Sequence, residues 1–241
     1  MTEPRRTSKA RARRNPDGLW DKRTPEPRLD RAEIVRCALD LLESQGFESF
    51  SMRGLATALN IKSPSLYWHV RGKDELFDLI VDAVLGECRL PDDEDDIWTD
   101  RLANVAGELR RVLLDHPAAT RLLTGRVPLV PNWLRIAEHV IGTLRRAGFD
   151  KQLSNYCYLV LLYYSIGFVT QEVAFGTGSA ADERLGEMHE FVRSLPTDQY
   201  PNLVEVTEGF NERGLTDRFE LGLAGILGGF ANELAKQDTS A

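Results

Sequence analysis

The chain has 241 residues, 42% of them apolar and 8% aromatic, and a formal charge of −7. That length sustains one large or two small domains with a real core, and the composition is that of an ordinary soluble globular protein, which leaves every structural class open. The charge argues against a general polyanion binder; three cysteines, Cys37, Cys88 and Cys157, without CxxC or zinc-like spacing argue against a disulfide framework and for a reducing cytoplasm.

The charge is unevenly spread. Through position 90 there are sixteen Lys and Arg against fourteen Asp and Glu, so the remainder carries about −9. A basic end suits phosphates, and an acidic body discourages non-specific coating of nucleic acid. Residues 1–28 hold Arg5, Arg6, Lys9, Arg11, Arg13 and Arg14 with almost nothing apolar, which predicts a disordered arm. Such an arm either follows a minor groove or serves as a solubilising tail. It lacks the apolar run of a secretory signal.

The first predicted helix begins at Asp30, where Asp30 and Glu33 form a capping box and Leu29 meets Ile34 as a hydrophobic staple. Ile34, Ala38, Leu41 and Leu42 share a face, and Gly46 ends the run.

Residues 51–73, SMRGLATALNIKSPSLYWHVRGK, then read as helix, tight turn, helix. Ser63 is a suitable N-cap and Pro64 fits the first helical position, where a missing N–H costs nothing. Asn60 sits where the turn needs positive φ, and small Ala56 lets the helices cross closely. Leu55, Leu59, Ile61, Leu66 and Val70 supply a small core, which leaves Ser65, Tyr67, Trp68 and His69 facing outward. Hydroxyls and aromatic faces on a short helix suit base edges, sugars and thymine methyls in a major groove. Arg53 is placed to reach a guanine, and His69 and Lys73 to hold phosphates. With Ser51, Ser63 and Pro64 these make the candidate DNA-contacting set. The competing reading, that the aromatics pack within the chain, predicts buried rings at 67 and 68.

A further helix follows from Lys73 to Leu85 with Leu76, Ile80, Ala83 and Val84 inward. Pro91 to Asp96, PDDEDD, reads as an acidic linker lacking the alternation and glycine of a calcium loop. Trp98, Leu102, Val105, Leu109, Val112 and Leu113 mark a helix that stops before Pro117. Asn132 to Ala147 carries Trp133, Ala137, Val140, Ile141 and Leu144, with Gly148 closing it. Asp150 caps the longest apolar passage, in which no charge occurs between Lys151 and Glu172. Its serines, threonine and tyrosines, and the missing basic flanks, argue against a membrane span and for a helix buried on two fronts, against its own domain and a partner. Ala181 to Leu195 is a polar-faced helix, followed by a loop with Pro196 and Pro201. From Thr216-Asp217 a last helix directs Phe219, Leu223, Ile226, Leu227, Phe230 and Leu234 inward. Gly222, Gly225, Gly228 and Gly229 cost it up to about 1 kcal/mol each relative to alanine, which close approach of a second copy would offset. Packing within one subunit is the alternative.

No catalytic arrangement emerges. Gly176-Thr177-Gly178-Ser179 follows a helix, not a strand, and His116, His139 and His189 lack metal-ligand spacing. No enzyme, cofactor or metal is expected. Trp133, Tyr156, Tyr163 and Tyr164 around an aliphatic interior instead suit a small-molecule cavity.

The stretch from Leu29 to Leu85, above all LYWHV at Leu66 to Val70, resembles the DNA-binding domain of the tetracycline repressor family. The likeness extends to Trp98, LRRVLLDH, the RRAGF at Arg145 to Phe149, and FELGLAGILGG near the end. It implies a dimer made by two helices of each subunit. It also implies departures: Leu123 stands in place of a magnesium-binding histidine and Gln171 in place of a supporting glutamate, while Val105 and Val140 replace polar ligand contacts. A metal-free, more apolar effector follows from that. The effector set is then Val105, Leu109, Leu123, Trp133, Val140, Tyr164 and Gln171.

The expectation is an all-α protein: the arm at 1–28, a three-helix DNA-binding head at 29–90, and a helical effector-binding and dimerisation body at 91–241. It would be a homodimeric, cytoplasmic, ligand-responsive repressor of a double-stranded DNA operator, with no membrane partner. The alternative is a helical binding protein or enzyme that retains the head without using it.

Overall fold

In the computed structural model, which describes residues 30–91, 97–123, 129–176, 179–207 and 214–240, every regular element among the described residues is a helix. The arm at 1–28, Leu29 of the staple and the acidic run at 92–96 lie outside the described residues. The described residues from Arg31 onward pack as one unit.

Helix α1 (Arg31–Gln45) buries Ile34, Val35, Ala38 and Leu42 and ends at Gly46, whose φ of 77° is the left-handed conformation a glycine adopts without strain. In α2 (Met52–Ala58) the Ser51 hydroxyl caps the start by accepting from the Gly54 amide at 3.1 Å. Asn60 follows at φ 54°, as the tight turn requires, and the Ile61 amide closes onto the Ala56 carbonyl at 2.9 Å. Helix α3 (Ser63–Tyr67) starts one residue earlier than Ser63 capping predicts. Its N-cap is Lys62, extended and without a side-chain bond, because the Ser65 amide already reaches the Lys62 carbonyl at 2.9 Å. Proline in the first turn thus replaces a cap. Helix α4 (Lys73–Gly86) buries Leu76, Phe77, Ile80, Val81, Val84 and Leu85. Ala83, expected inward, is exposed, because the buried pairs repeat at 76/77, 80/81 and 84/85 and leave position 83 off the stripe.

The body is built around α5 (Trp98–Asp115), which buries Leu102, Val105, Ala106, Leu109, Val112 and Leu113 and packs on α4, α6, α7, α8 and α11. Helix α6 (Pro117–Leu123) lies in a stretch for which the sequence predicted no element, and α10 (Pro201–Thr207) where it predicted a loop. Each is seven residues long and opens on a proline, too short for a period to register. Helix α7 (Pro131–Arg146) ends before Gly148 at φ 101°. Helix α8 (Lys151–Phe175) starts where the Asp150 carboxylate accepts from the Leu153 amide at 2.8 Å. Helices α9 (Ser179–Arg193) and α11 (Leu215–Ser240) complete the chain; α9 packs on α8 and α10, and α11 on α8 and α5.

Helix α4 is the joint between head and body, touching α1 on one side and α5, α6 and α7 on the other. The joint is polar as well as apolar. Asn132 at the start of α7 donates its amide to the Asp82 carboxylate at 2.7 Å, and Arg135 donates to the Leu85 and Cys88 carbonyls at 3.3 and 3.0 Å. The Leu85 carbonyl, which already accepts from the Cys88 amide at 3.2 Å, thus gains a second donor from α7, and the Asn132 side-chain amide donates to the Asp82 carbonyl at 3.0 Å. His116, between α5 and α6, lies between the carboxylates of Glu43 at 3.3 Å and Glu87 at 3.2 Å.

Candidate functional site

Two regions carry the candidate residues. In the head, Leu55, Ala56, Leu66 and Val70 are closed off, while Leu59 and Ile61 are half-buried. This little core turns α3 so that Tyr67 is 51% and Trp68 85% exposed. Arg53, Pro64 and Ser65 are exposed with them, and Ser63 and His69 partly so. The rings are therefore not packing units of the chain. Ser51 stands on the same end of the head but spends its oxygen on the α2 cap. Lys73 is exposed, and its ammonium donates to the Phe50 carbonyl at 3.3 Å and lies 5.9, 5.5 and 5.3 Å from the ring centres of Phe47, Phe50 and Phe77. It steadies the first turn of α4 through cation–π attraction.

In the body, the cleft between α6, α7 and α8 encloses a cavity of about 660 Å³. Leu123, Trp133 and Gln171 line it, as expected from the sequence. Around them stand Tyr158, Tyr163, Leu134, Leu162, Ile166 and Thr170. Among the described residues, no charged side chain is in the lining. Thr170 already donates its hydroxyl to the Ile166 carbonyl at 2.7 Å, so it offers only acceptor capacity. Val105, Leu109 and Val140 are placed together, but around a separate space of about 20 Å³ deeper in the body. Tyr164 belongs to neither. Its hydroxyl donates to the Phe219 carbonyl at 2.6 Å, its ring stacks on Phe219 at 24°, and it faces Gly222 of α11. Its assignment to the effector site is corrected accordingly: it joins α8 to α11. Tyr156, 55% exposed, is on the outer face of α8.

Tyr158 is the residue that the sequence did not single out. It lines both spaces, burial pushes its phenol up from the ordinary value, and a hydrogen bond with Trp133 pulls the other way. Since α8 is apolar on every side, no stripe in the sequence distinguishes the face carrying Tyr158 from that carrying Tyr156 or Tyr164. Nearby, Arg110 and Glu172 form a largely buried pair, with Arg110 Nε donating to Glu172 Oε2 at 2.9 Å and a second bond from Nη2 to Oε1. Arg110 also donates to the Thr216 hydroxyl at 3.1 Å, so one guanidinium ties α5, α8 and α11. Among the described residues no group of His, Cys, Asp and Glu could hold a metal.

Among the described residues α8 alone is long and apolar enough to cross a membrane. It nevertheless buries Ser154, Cys157, Leu161, Ser165 and Val169 within the body, and Glu172 in its ion pair. Helix α8 packs on α5, α6, α7, α9 and α11.

The family model described as bacterial regulatory proteins of the tetR family matches residues 34–80, and that for the tetracyclin repressor-like C-terminal domain matches residues 90–234. The chain is 40% identical over 166 residues to an HTH-type transcriptional regulator of Saccharopolyspora erythraea, spanning 66% of this chain and 70% of that one. It is 32% identical over 201 residues to the class A tetracycline repressor from transposon 1721 of Escherichia coli, spanning 82% and 88% of the two. Among solved structures it is similar to the Streptomyces coelicolor TetR family protein ActR in complex with actinorhodin, with a TM-score of 0.77 and 32% identity over 86% of this chain and 98% of that one. With an exposed-aromatic helix-turn-helix, a helical body holding a largely apolar cavity, and both models matched in order, the chain belongs to the TetR family of bacterial regulatory proteins.

Proposed function

We propose that the protein is a ligand-responsive repressor that binds a near-palindromic DNA operator as a homodimer and is released by an uncharged, largely apolar molecule held in the cavity between α6, α7 and α8. The observation that carries the DNA reading is the contrast within α3: Leu66 is fully closed off, while the next two residues, Tyr67 and Trp68, hold their rings in solvent. Large apolar side chains are left bare where a partner will cover them. A major groove suits these two, flanked by Arg53, Ser63, Pro64, Ser65 and His69. Two such heads would read half-sites one helical turn apart, roughly 34 to 36 Å, or a multiple of that.

The second copy is supported by the surface of α8 and α11. Tyr156, Val160 and Tyr163 of α8 and Leu221 of α11 are exposed, and a Cβ added at Gly225, Gly228 or Gly229 would meet nothing within 4 Å. A partner helix has room to approach there. The effector reading is supported by the lining: it offers aromatic faces and aliphatic walls with Gln171 and Thr170 at the polar edge and, among the described residues, nothing to balance an ionic charge. Leu123, where the resemblance implies a metal-binding histidine, is buried and apolar, which argues against a magnesium complex. The relative ActR is solved with actinorhodin bound, which supports a ligand site in a body of this shape. The head at 29–90 and the body at 91–241 are assigned these two roles, acting together in the cytoplasm.

Selection of bound fragments from a genomic library, followed by electrophoretic shift, tests this. A single inverted-repeat site bound by two chains is expected. Absence of any selected site, with the protein folded, would overturn the reading.

A further inference from the structure

The open cavity and the small inner space have linings that share two residues, Tyr158 and Leu162. These stand four apart on α8 and so on one face of it, between about 660 Å³ on one side and about 20 Å³ on the other. We propose that Tyr158, with Leu162 beside it, is the partition that sets the inner depth of the effector site and thereby selects ligands by length. This rests on the cavity being the effector site.

The inner space has the volume of about one water and walls of Val105, Leu109, Val140 and Leu161. Apart from the Tyr158 phenol of the partition, its one hydroxyl among the described residues, on Ser165, is already donated to the Leu161 carbonyl at 2.8 Å. Such a space stays dry, and among the described residues Tyr158 and Leu162 are the side chains that line both it and the open cavity. Tyr158 is half-buried between the two spaces, and Trp133 is buried in the wall that α7 contributes to the open one. Replacing the phenol by a methyl group merges the two spaces and gives a ligand a further aliphatic wall at Val105 and Val140. Filling the inner space from behind, by one added methylene at Val140, does nothing while the partition stands and closes the extension once it is gone.

The test uses the full chain and two uncharged fused-ring probes, 9,10-anthraquinone with three rings and tetracene-5,12-dione with four, with dissociation constants from quenching of tryptophan fluorescence. Tyr158→Ala should move the affinity ratio about tenfold or more toward the four-ring probe, the scale on which apolar pockets discriminate by size. Val140→Leu alone should leave the ratio as in the parent, and in the Tyr158→Ala background it should cancel the gain. An unchanged ratio in Tyr158→Ala, or a ratio that Val140→Leu alters equally with Tyr158 present, overturns the partition. Should Tyr158→Ala fail to fold, Tyr158→Leu and Leu162→Ala must shift the ratio in the same direction. If neither probe binds a parent protein that still holds its operator, the effector cavity itself is refuted, which is a different failure from an unaltered ratio.

Discussion

Trp68 follows a turn of which Leu66 alone is enclosed, and its ring, 85% exposed, has no structural task in the chain that holds it. Removing it should therefore separate stability from binding. Tyr67→Ala and Trp68→Ala are each expected to weaken operator affinity by about 1–3 kcal/mol while the unfolding free energy stays within about 0.5 kcal/mol of the parent. Fluorescence anisotropy on the operator and thermal melting read the two quantities; a loss of stability with unchanged binding would mean that the rings are packing residues after all. Their exposure was legible because a short amphipathic helix has few places to hide a ring. Asn60 and Gly46 were legible for a more local reason, since left-handed backbone is a property of the residue itself. The position of the Lys73 ammonium was not. Its partners Phe47, Phe50 and Phe77 come together only once α1, α2 and α4 have packed. Cys88 shows a different residue-scale effect: burial pushes its thiol up from 9.0 to about 11, with Arg135 opposing. The folded form keeps its proton while the unfolded chain loses it, so the stability that Cys88 contributes is complete below pH 9 and drains away toward pH 11. The loss is about 2–3 kcal/mol, and the melting curve of Cys88→Ala should be flatter than the parent's across that interval.

Helices long enough to show a period were legible, and those without one were not. Helices α1, α4, α5 and α7 have a buried stripe that the 3.6-residue spacing reveals, apart from single positions such as Ala83. Helix α8 is apolar all round, so its existence was plain and its orientation invisible; that is why Tyr164 was assigned to the cavity and Tyr158 overlooked. The glycines of α11 divide by the same logic. Gly222 lies under the Tyr164 ring, where an added Cβ would come within 2.3 Å of the hydroxyl oxygen and 2.8 Å of the ring carbon bearing it, whereas Gly225 has open space. Gly222→Ala should destabilise by about 1–3 kcal/mol through overpacking. Gly225→Ala should leave the isolated fold intact or slightly firmer, by about 1 kcal/mol, and show its cost only in self-association. Chemical denaturation together with analytical ultracentrifugation distinguishes them; equal losses of stability from both would contradict the packing.

At the scale of the molecule, head and cavity are joined through α4 and α6. Leu123 ends α6 in the cavity wall, and His116 just before it lies between carboxylates from α1 and from the end of α4. A molecule that displaces Leu123 therefore pushes on the helix that carries the reading head. If binding and release are one linkage, operator DNA must weaken effector affinity by the factor by which the effector weakens operator affinity. The bare outer face of α8 has a consequence for how much of the protein a cell must make. A chain that leaves Tyr156, Val160 and Tyr163 in water is stabilised by mass action when copies meet, so its melting temperature should climb with protein concentration and Val160→Glu should abolish that dependence. Occupancy of the operator would then rise with roughly the square of the dose when the protein is scarce, which turns a gradual change in synthesis into a sharper one in output.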